Sequence, residues 1–124
     1  MQIVNCMKHR ADLITPEGEI ITLMPSGHIA EVGESQTPGE PFAGFPTLKT
    51  IMGQIVGLPD PQEGTVYYVN MLTFKAAVAA GRTDIVMGDS GSTAIRWTEK
   101  DAAAGLCPEK LVGLVRYITH LILP

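Results

Sequence analysis

Thr65-Val66-Tyr67-Tyr68-Val69-Asn70, followed by Met71 to Ala80, Gly81 and then Asp84-Ile85-Val86-Met87, is the stretch whose reading decides the fold. The first run is β-branched and aromatic, the composition of a half-buried strand. Asn70 has a side chain able to cap a helix start. Met71 to Ala80 supplies helix formers, four of them alanine, and Gly81 stands where a left-handed C-cap belongs. Asp84 to Met87 reads as a second strand. A strand–helix–strand crossover of this length makes its two strands parallel neighbours.

Outward from this unit the chain is punctuated by 13 glycines and 9 prolines rather than divided by one linker. Short runs rich in Val, Ile, Thr and Tyr between them predict many short strands. Gln2 to Met7 is the first. Ala11–Thr15 and Glu19–Met24 flank Pro16-Glu17-Gly18 as a hairpin. His28 to Val32 and Thr47 to Leu58 are further strands, and the polar residues 33–45 between them read as a flexible loop. Residues 111–123 fit a helical face as well as a strand, and Gly113 favours a strand from Val112 to about Thr119. The expected fold class is α+β: a small β-rich single domain over residues 1–124 with one short helix at about 71–80.

Composition narrows the function. Hydrophobic residues make up 45% of the chain and charged residues 18%, enough for a packed core. The formal charge is −4 and no stretch concentrates Lys and Arg, so neither DNA nor RNA is an expected partner. Leu111 to Leu123 is too short to span a bilayer and carries Arg116 and His120, so no membrane is expected. The opening residues show no signal peptide, and Cys6 and Cys107 read as free buried thiols of a reducing compartment, the cytoplasm.

Gly88-Asp89-Ser90-Gly91 matches the nucleophile motif of chymotrypsin-like proteases, with histidines at positions 9, 28 and 120. The next residue is Ser92 rather than glycine, and a double-barrel protease does not fit this length. Cys6-Met7-Lys8-His9 has the spacing of half a zinc site, without a second close pair. Gly53 to Gly57 has the glycine spacing of a membrane dimer motif but no membrane helix around it. No catalytic residue, metal or cofactor is therefore assigned, and the chain is not read as an enzyme. A hydrolase survives as a third class only through Asp89, Ser90 and the histidines.

The same loop has a second reading. Ser90, Gly91, Ser92 and Thr93 offer hydroxyls and successive N–H groups, either as a nest for an anion or as an ordinary surface turn. Arg96 follows the loop and Arg82 precedes its strand. If the strands of the crossover are parallel, Asn70 and this loop share their carboxyl edge, where ligands of open α/β sheets bind. Of Tyr67 and Tyr68, alternation predicts one in the core and one at the surface, and Tyr68 is assigned with Asn70 to a base or sugar. The candidate ligand-binding set is Ser90, Gly91, Ser92, Thr93, Arg96, Arg82, Asn70 and Tyr68.

Several segments together resemble a family of small uncharacterised proteins encoded by phages and prophages. They are Asn5-Cys6-Met7-Lys8-His9, where the family tends to read Asn-Leu-Thr-Pro-His; Pro25-Ser26-Gly27-His28-Ile29-Ala30-Glu31-Val32; Lys49 to Pro59; Pro61 to Val69; and Gly91 to Arg96. The chain departs from the pattern at Cys6, Met7, Lys8 and Gly88, the last more often proline. The resemblance covers most of the chain and implies a phage accessory protein made in a bacterial host cell. Such proteins include virion parts and inhibitors of host defence, some of which sequester a nucleotide immune signal without cleaving it. The expected function is that of a sponge for a small phosphorylated nucleotide. The alternative is a protein-interaction or virion structural protein. A homo-oligomer is expected under both, because so small a domain gains a deep pocket most easily between subunits.

Overall fold

In the computed structural model, which describes residues 1–124, the chain is a small α+β structure of ten strands and two α-helices. The decisive stretch folds as read. Strand β6 (Thr65–Tyr68) leads through helix α1 (Met71–Ala79) into β7 (Ile85–Gly88), and the two strands pair in parallel. The Asn70 side chain accepts the Thr73 N–H at 2.8 Å, and the helix ends at Ala80 before Gly81, which takes φ of +88°. Strand β1 (Gln2–Asn5) lies parallel to β6 on its other side, and the short β10 (Leu121–Ile122) closes the sheet antiparallel to β7. The order is β1-β6-β7-β10.

The sheet is covered on both faces. Helix α1 brings Phe74 and Ala77 onto Tyr67, Val69 and Ile85. The hairpin of β2 (Ala11–Ile14) and β3 (Ile20–Leu23) brings Ala11, Leu13 and Leu23 onto Tyr68 and Val86. Both tyrosines are therefore buried, Tyr67 to 2% and Tyr68 to 5% exposure. The expectation that one of them faces solvent is corrected. Alternation does send them to opposite faces, but each face has its own cover. Cys6 and Cys107 are both buried free thiols, and burial raises the thiol pKa of Cys6 above its ordinary value.

Two further corrections concern the middle and the end of the chain. The expected loop begins as a strand: β4 (Glu31–Pro38) pairs antiparallel with β5 (Leu48–Val56), so Gly33 to Pro38 belong to a long two-stranded arm. Glu34, Ser35, Gln36 and Thr37 are exposed and polar, and only the ladder to β5 keeps them extended. Near the C-terminus, α2 (Glu99–Ala103) adds a second helix to the one expected. Its Thr98–Asp101 capping box, in which each side chain bonds the other's backbone N–H, starts it. It lies between β8 (Ile95–Arg96) and β9 (Val115–Tyr117), which pair antiparallel; β9 shows that the strand reading of this region holds over a shorter span.

Asn5 fixes these pieces to one another. It is 2% exposed, and its amide donates to the carbonyls of His9 at 2.9 Å and Leu23 at 2.8 Å, while its oxygen accepts the Met7 N–H at 2.9 Å. Its backbone carbonyl accepts both the N–H and the hydroxyl of Ser26. Asn5→Ala removes three side-chain hydrogen bonds at a buried position and is expected to cost about 2–4 kcal/mol, read as a lowered midpoint in urea unfolding.

Candidate functional site

The parallel strands β6 and β7 point their carboxyl ends to one edge, with Tyr68 paired to Val86, and that edge is where the assigned residues meet or fail to meet. Tyr68, Asn70 and Ser90 line one cleft of about 250 Å³, with Met7, Met71 and Gly88 among its other walls. The amino end of α1 opens onto this cleft, since Asn70 and Met71 stand in its wall. An α-helix leaves its first-turn N–H groups without partners in the helix, and here Asn70 satisfies the one on Thr73. Asn70 also borders two adjoining hollows. One, of about 580 Å³, runs past Glu31, Val32 and Leu72. The other, of about 220 Å³, is lined by Cys6, Met7, Lys8 and His9.

The Asp89–Thr93 loop is organised around a charge of its own. The Asp89 carboxylate accepts the Gly91 N–H at 2.9 Å and the Thr93 hydroxyl. These hydrogen bonds, that from Thr93 foremost, hold its carboxyl below the usual carboxylate range. Two donors expected to face an anion, on Gly91 and Thr93, are thus already taken by a carboxylate within the loop. Ser92 is exposed beside them and makes no side-chain hydrogen bond. The loop is anchored to the chain's end: Asp89 N–H donates to the His120 carbonyl, and the Thr119 hydroxyl to the Thr93 carbonyl at 2.7 Å.

Neither arginine reaches the cleft. Arg96 donates to the carbonyls of Ser90 and Gly91 and, at 2.9 Å, to that of Gly113, so it braces the loop from outside. Arg82 precedes β7 and so sits at the amino end of that strand, opposite the loop. Its guanidinium grips Asp84 through two bonds of 2.8 Å, donates to the Pro59 carbonyl at 2.9 Å and lies 6.0 Å from the Tyr67 ring. Its work is to pin the Pro59 segment to the sheet. Lys8 lines the adjoining hollow with His9, not the cleft itself, and its ammonium is paired there with Glu31 at 2.9 Å. The sequence marks Cys6 to His9 as a zinc half-site, a buried thiol and the opening motif of the family resemblance; their place at this edge follows from the parallel pairing of β1 with β6.

Gly88 sets the depth of the cleft. A Cβ there falls inside van der Waals contact with Tyr68 Oη and meets Ile118 Cδ1 at 3.0 Å. Gly88→Ala is expected to destabilise the fold by about 1–3 kcal/mol, and Tyr68→Phe in the same chain to recover part of that loss. A double-mutant cycle in urea measures the coupling.

The Arg82 hydrogen bond depresses the Asp84 pKa below its ordinary value. A carboxylate with a folded pKa below its unfolded one stabilises the fold above the unfolded value, and that contribution fades as pH falls through the folded one. Asp84→Asn is therefore expected to cost about 1–3 kcal/mol at neutral pH and progressively less below about pH 4, a convergence visible in melting temperatures measured across pH 2–7.

Compared with known proteins, the chain matches no family model, no curated protein and no solved structure.

Proposed function

We propose that the protein binds a small phosphorylated nucleotide and holds it without cleaving it, as an accessory protein of a phage that blunts immune signalling in the cytoplasm of its bacterial host. The observation that carries this reading is the meeting of Tyr68, Asn70 and Ser90 in one cleft at the carboxyl edge of two parallel strands, beside the amino end of α1. That edge is where open α/β sheets take their ligands, and a helix start favours anions. The N–H groups of Met71 and Leu72 at the start of α1 and the Ser90 hydroxyl suit a phosphate, and Asn70 suits a base or ribose edge. In this reading Arg96 acts through the loop it braces, and Arg82 takes no part. A cleft of about 250 Å³ is smaller than the 300–1,000 Å³ typical of small-molecule sites, which favours a homo-oligomer whose second copy adds to the walls.

Native mass spectrometry tests this on protein purified gently from bacteria that express nucleotide-based defence systems. The expected result is a retained nucleotide mass, released intact by heat and lost from Asn70→Ala. Ser90→Ala is expected to lower retention about tenfold, the scale of one charge-assisted hydrogen bond. Ligand-free protein from every host overturns the reading.

The second reading, a protein-interaction or virion structural role, is favoured by the β4–β5 arm, along which Leu48, Ile51, Met52 and Val56 are exposed. A structural protein co-purifies with phage particles, and a sponge does not.

A further inference from the structure

The β4–β5 arm ends in a feature that the cleft does not use. In Pro41-Phe42-Ala43-Gly44-Phe45-Pro46 the two phenylalanines exchange backbone hydrogen bonds of 3.0 and 2.8 Å. Between them Ala43 and Gly44 take φ of +51° and +83°, the positive values of a tight two-residue hairpin turn. Residues directly opposite in an antiparallel pair share a face, so both rings lie on one side of the tip. Phe42 is 77% and Phe45 69% exposed. A rigid turn flanked by prolines thus holds two aromatic rings side by side in water.

Farther along the same arm is a hollow of matching character. Met52 and Gly53 of β5 face Leu72, Lys75, Ala76 and Ala79 of α1 across an open cleft of about 550 Å³. Glycine and alanines give it a floor with room for rings. Lys75 is its one charged residue and has no ion-pair partner; Glu40, beside the tip, has none either.

Phe45 and Met52 stand seven residues apart, about 24 Å along an extended strand, so the tip of a straight arm does not reach its own cleft. A second copy does. Two arms laid antiparallel about a twofold axis near Leu48 and Lys49 bring each tip beside the cleft of the other. We infer that this is a self-complementary interface: Phe42 and Phe45 of each chain enter the Met52–Ala76 cleft of a second copy, and Glu40 meets Lys75 of the partner subunit. An isologous contact counts every interaction twice. Each ring is already about a quarter to a third covered, so burying four phenylalanines removes on the order of 600 Å² from water. The exposed Leu48 and Met52 carry that toward the ~1,600 Å² of a stable interface. The inference does not depend on any ligand at the carboxyl-edge cleft.

Sedimentation equilibrium of the full chain over a concentration series tests it. The expected result is a mass of at least twice the 13.3 kDa chain at micromolar concentration. Glu40→Lys and Lys75→Glu are each expected to weaken association about tenfold, and the two together to restore it. Phe42→Ser with Phe45→Ser is expected to weaken it roughly a hundredfold or more, with an unchanged melting profile for the separated chain. All four positions are exposed, and if the double serine variant fails to fold, the charge swap decides alone. A wild-type monomer at 100-fold higher concentration, association indifferent to these changes, or a charge-swapped chain that fails to recover overturns the inference.

Discussion

One buried amide governs how this chain is assembled. Asn5 ends the edge strand of the main sheet, and from that point its side chain satisfies the carbonyls of His9 and Leu23 and the N–H of Met7. The secondary structure is divided into one four-stranded sheet and three separate strand pairs, joined by single backbone bridges such as Asn5–Pro25 and Leu13–Ile118 rather than by continuous ladders. A side chain with two donors and an acceptor, removed from water, reinforces those bridges because leaving any of its partners unmet is costly. The opening turn and the β2–β3 hairpin are thereby set around the same strand end, the Ser26 turn joins them through the Asn5 backbone carbonyl, and the walls of the carboxyl-edge hollows follow from their placement.

From that anchor the core has only modest depth: 14 of 124 residues are buried, most of them in the β6–α1–β7 unit and the hairpin beneath it. What the core does not reach is the distal part of β4 and β5. A two-stranded ribbon with little of its surface buried is marginal by itself, and here it is steadied at one end by Ile55 packed against the core and at the other by a turn with fixed backbone geometry. The chain thus separates two jobs in space, a compact sheet that shapes concavities and a two-stranded extension, polar along β4 and bearing apolar side chains along β5, that reaches away from it.

How much of this could be read beforehand depended on how local each cause was. The crossover unit was legible because strand composition, the Asn70 cap and Gly81 all act within a few residues of one another. Strand β4 was not, because Glu34-Ser35-Gln36-Thr37 carries no apolar alternation; it is extended only because β5 lies beside it. The burial of Tyr68 depended on a hairpin arriving from the other face, which no period in the strand itself reports. The short helix α2 was within reach, since Thr98 and Asp101 stand at capping-box spacing. At the candidate site, Tyr68, Asn70 and Ser90 were brought together by the parallel pairing already inferred. The arginines were misplaced for reasons of different range. Arg82 lies before its strand and so at the wrong end, which the sequence order itself implied, whereas the carbonyls that occupy Arg96 depend on how the loop folds. Asp89 opens the loop and fills it with its own carboxylate, a local turn habit of that residue type.

The C-terminal layer has a composition that gives it an optical signature. Arg116 lies over the faces of Trp97 and Tyr117, 4.5 and 4.8 Å from their centres, with Asp101 3.7 Å from its guanidinium. Trp97 is the one tryptophan of the chain, and it belongs to the β8–α2–β9 layer, whereas Tyr67 and Tyr68 lie at the heart of the main sheet. Indole emission therefore reports on the outer layer and phenol absorbance chiefly on the inner one. The two colours of a single melt distinguish a chain that comes apart in one cooperative step from one that sheds its C-terminal layer first.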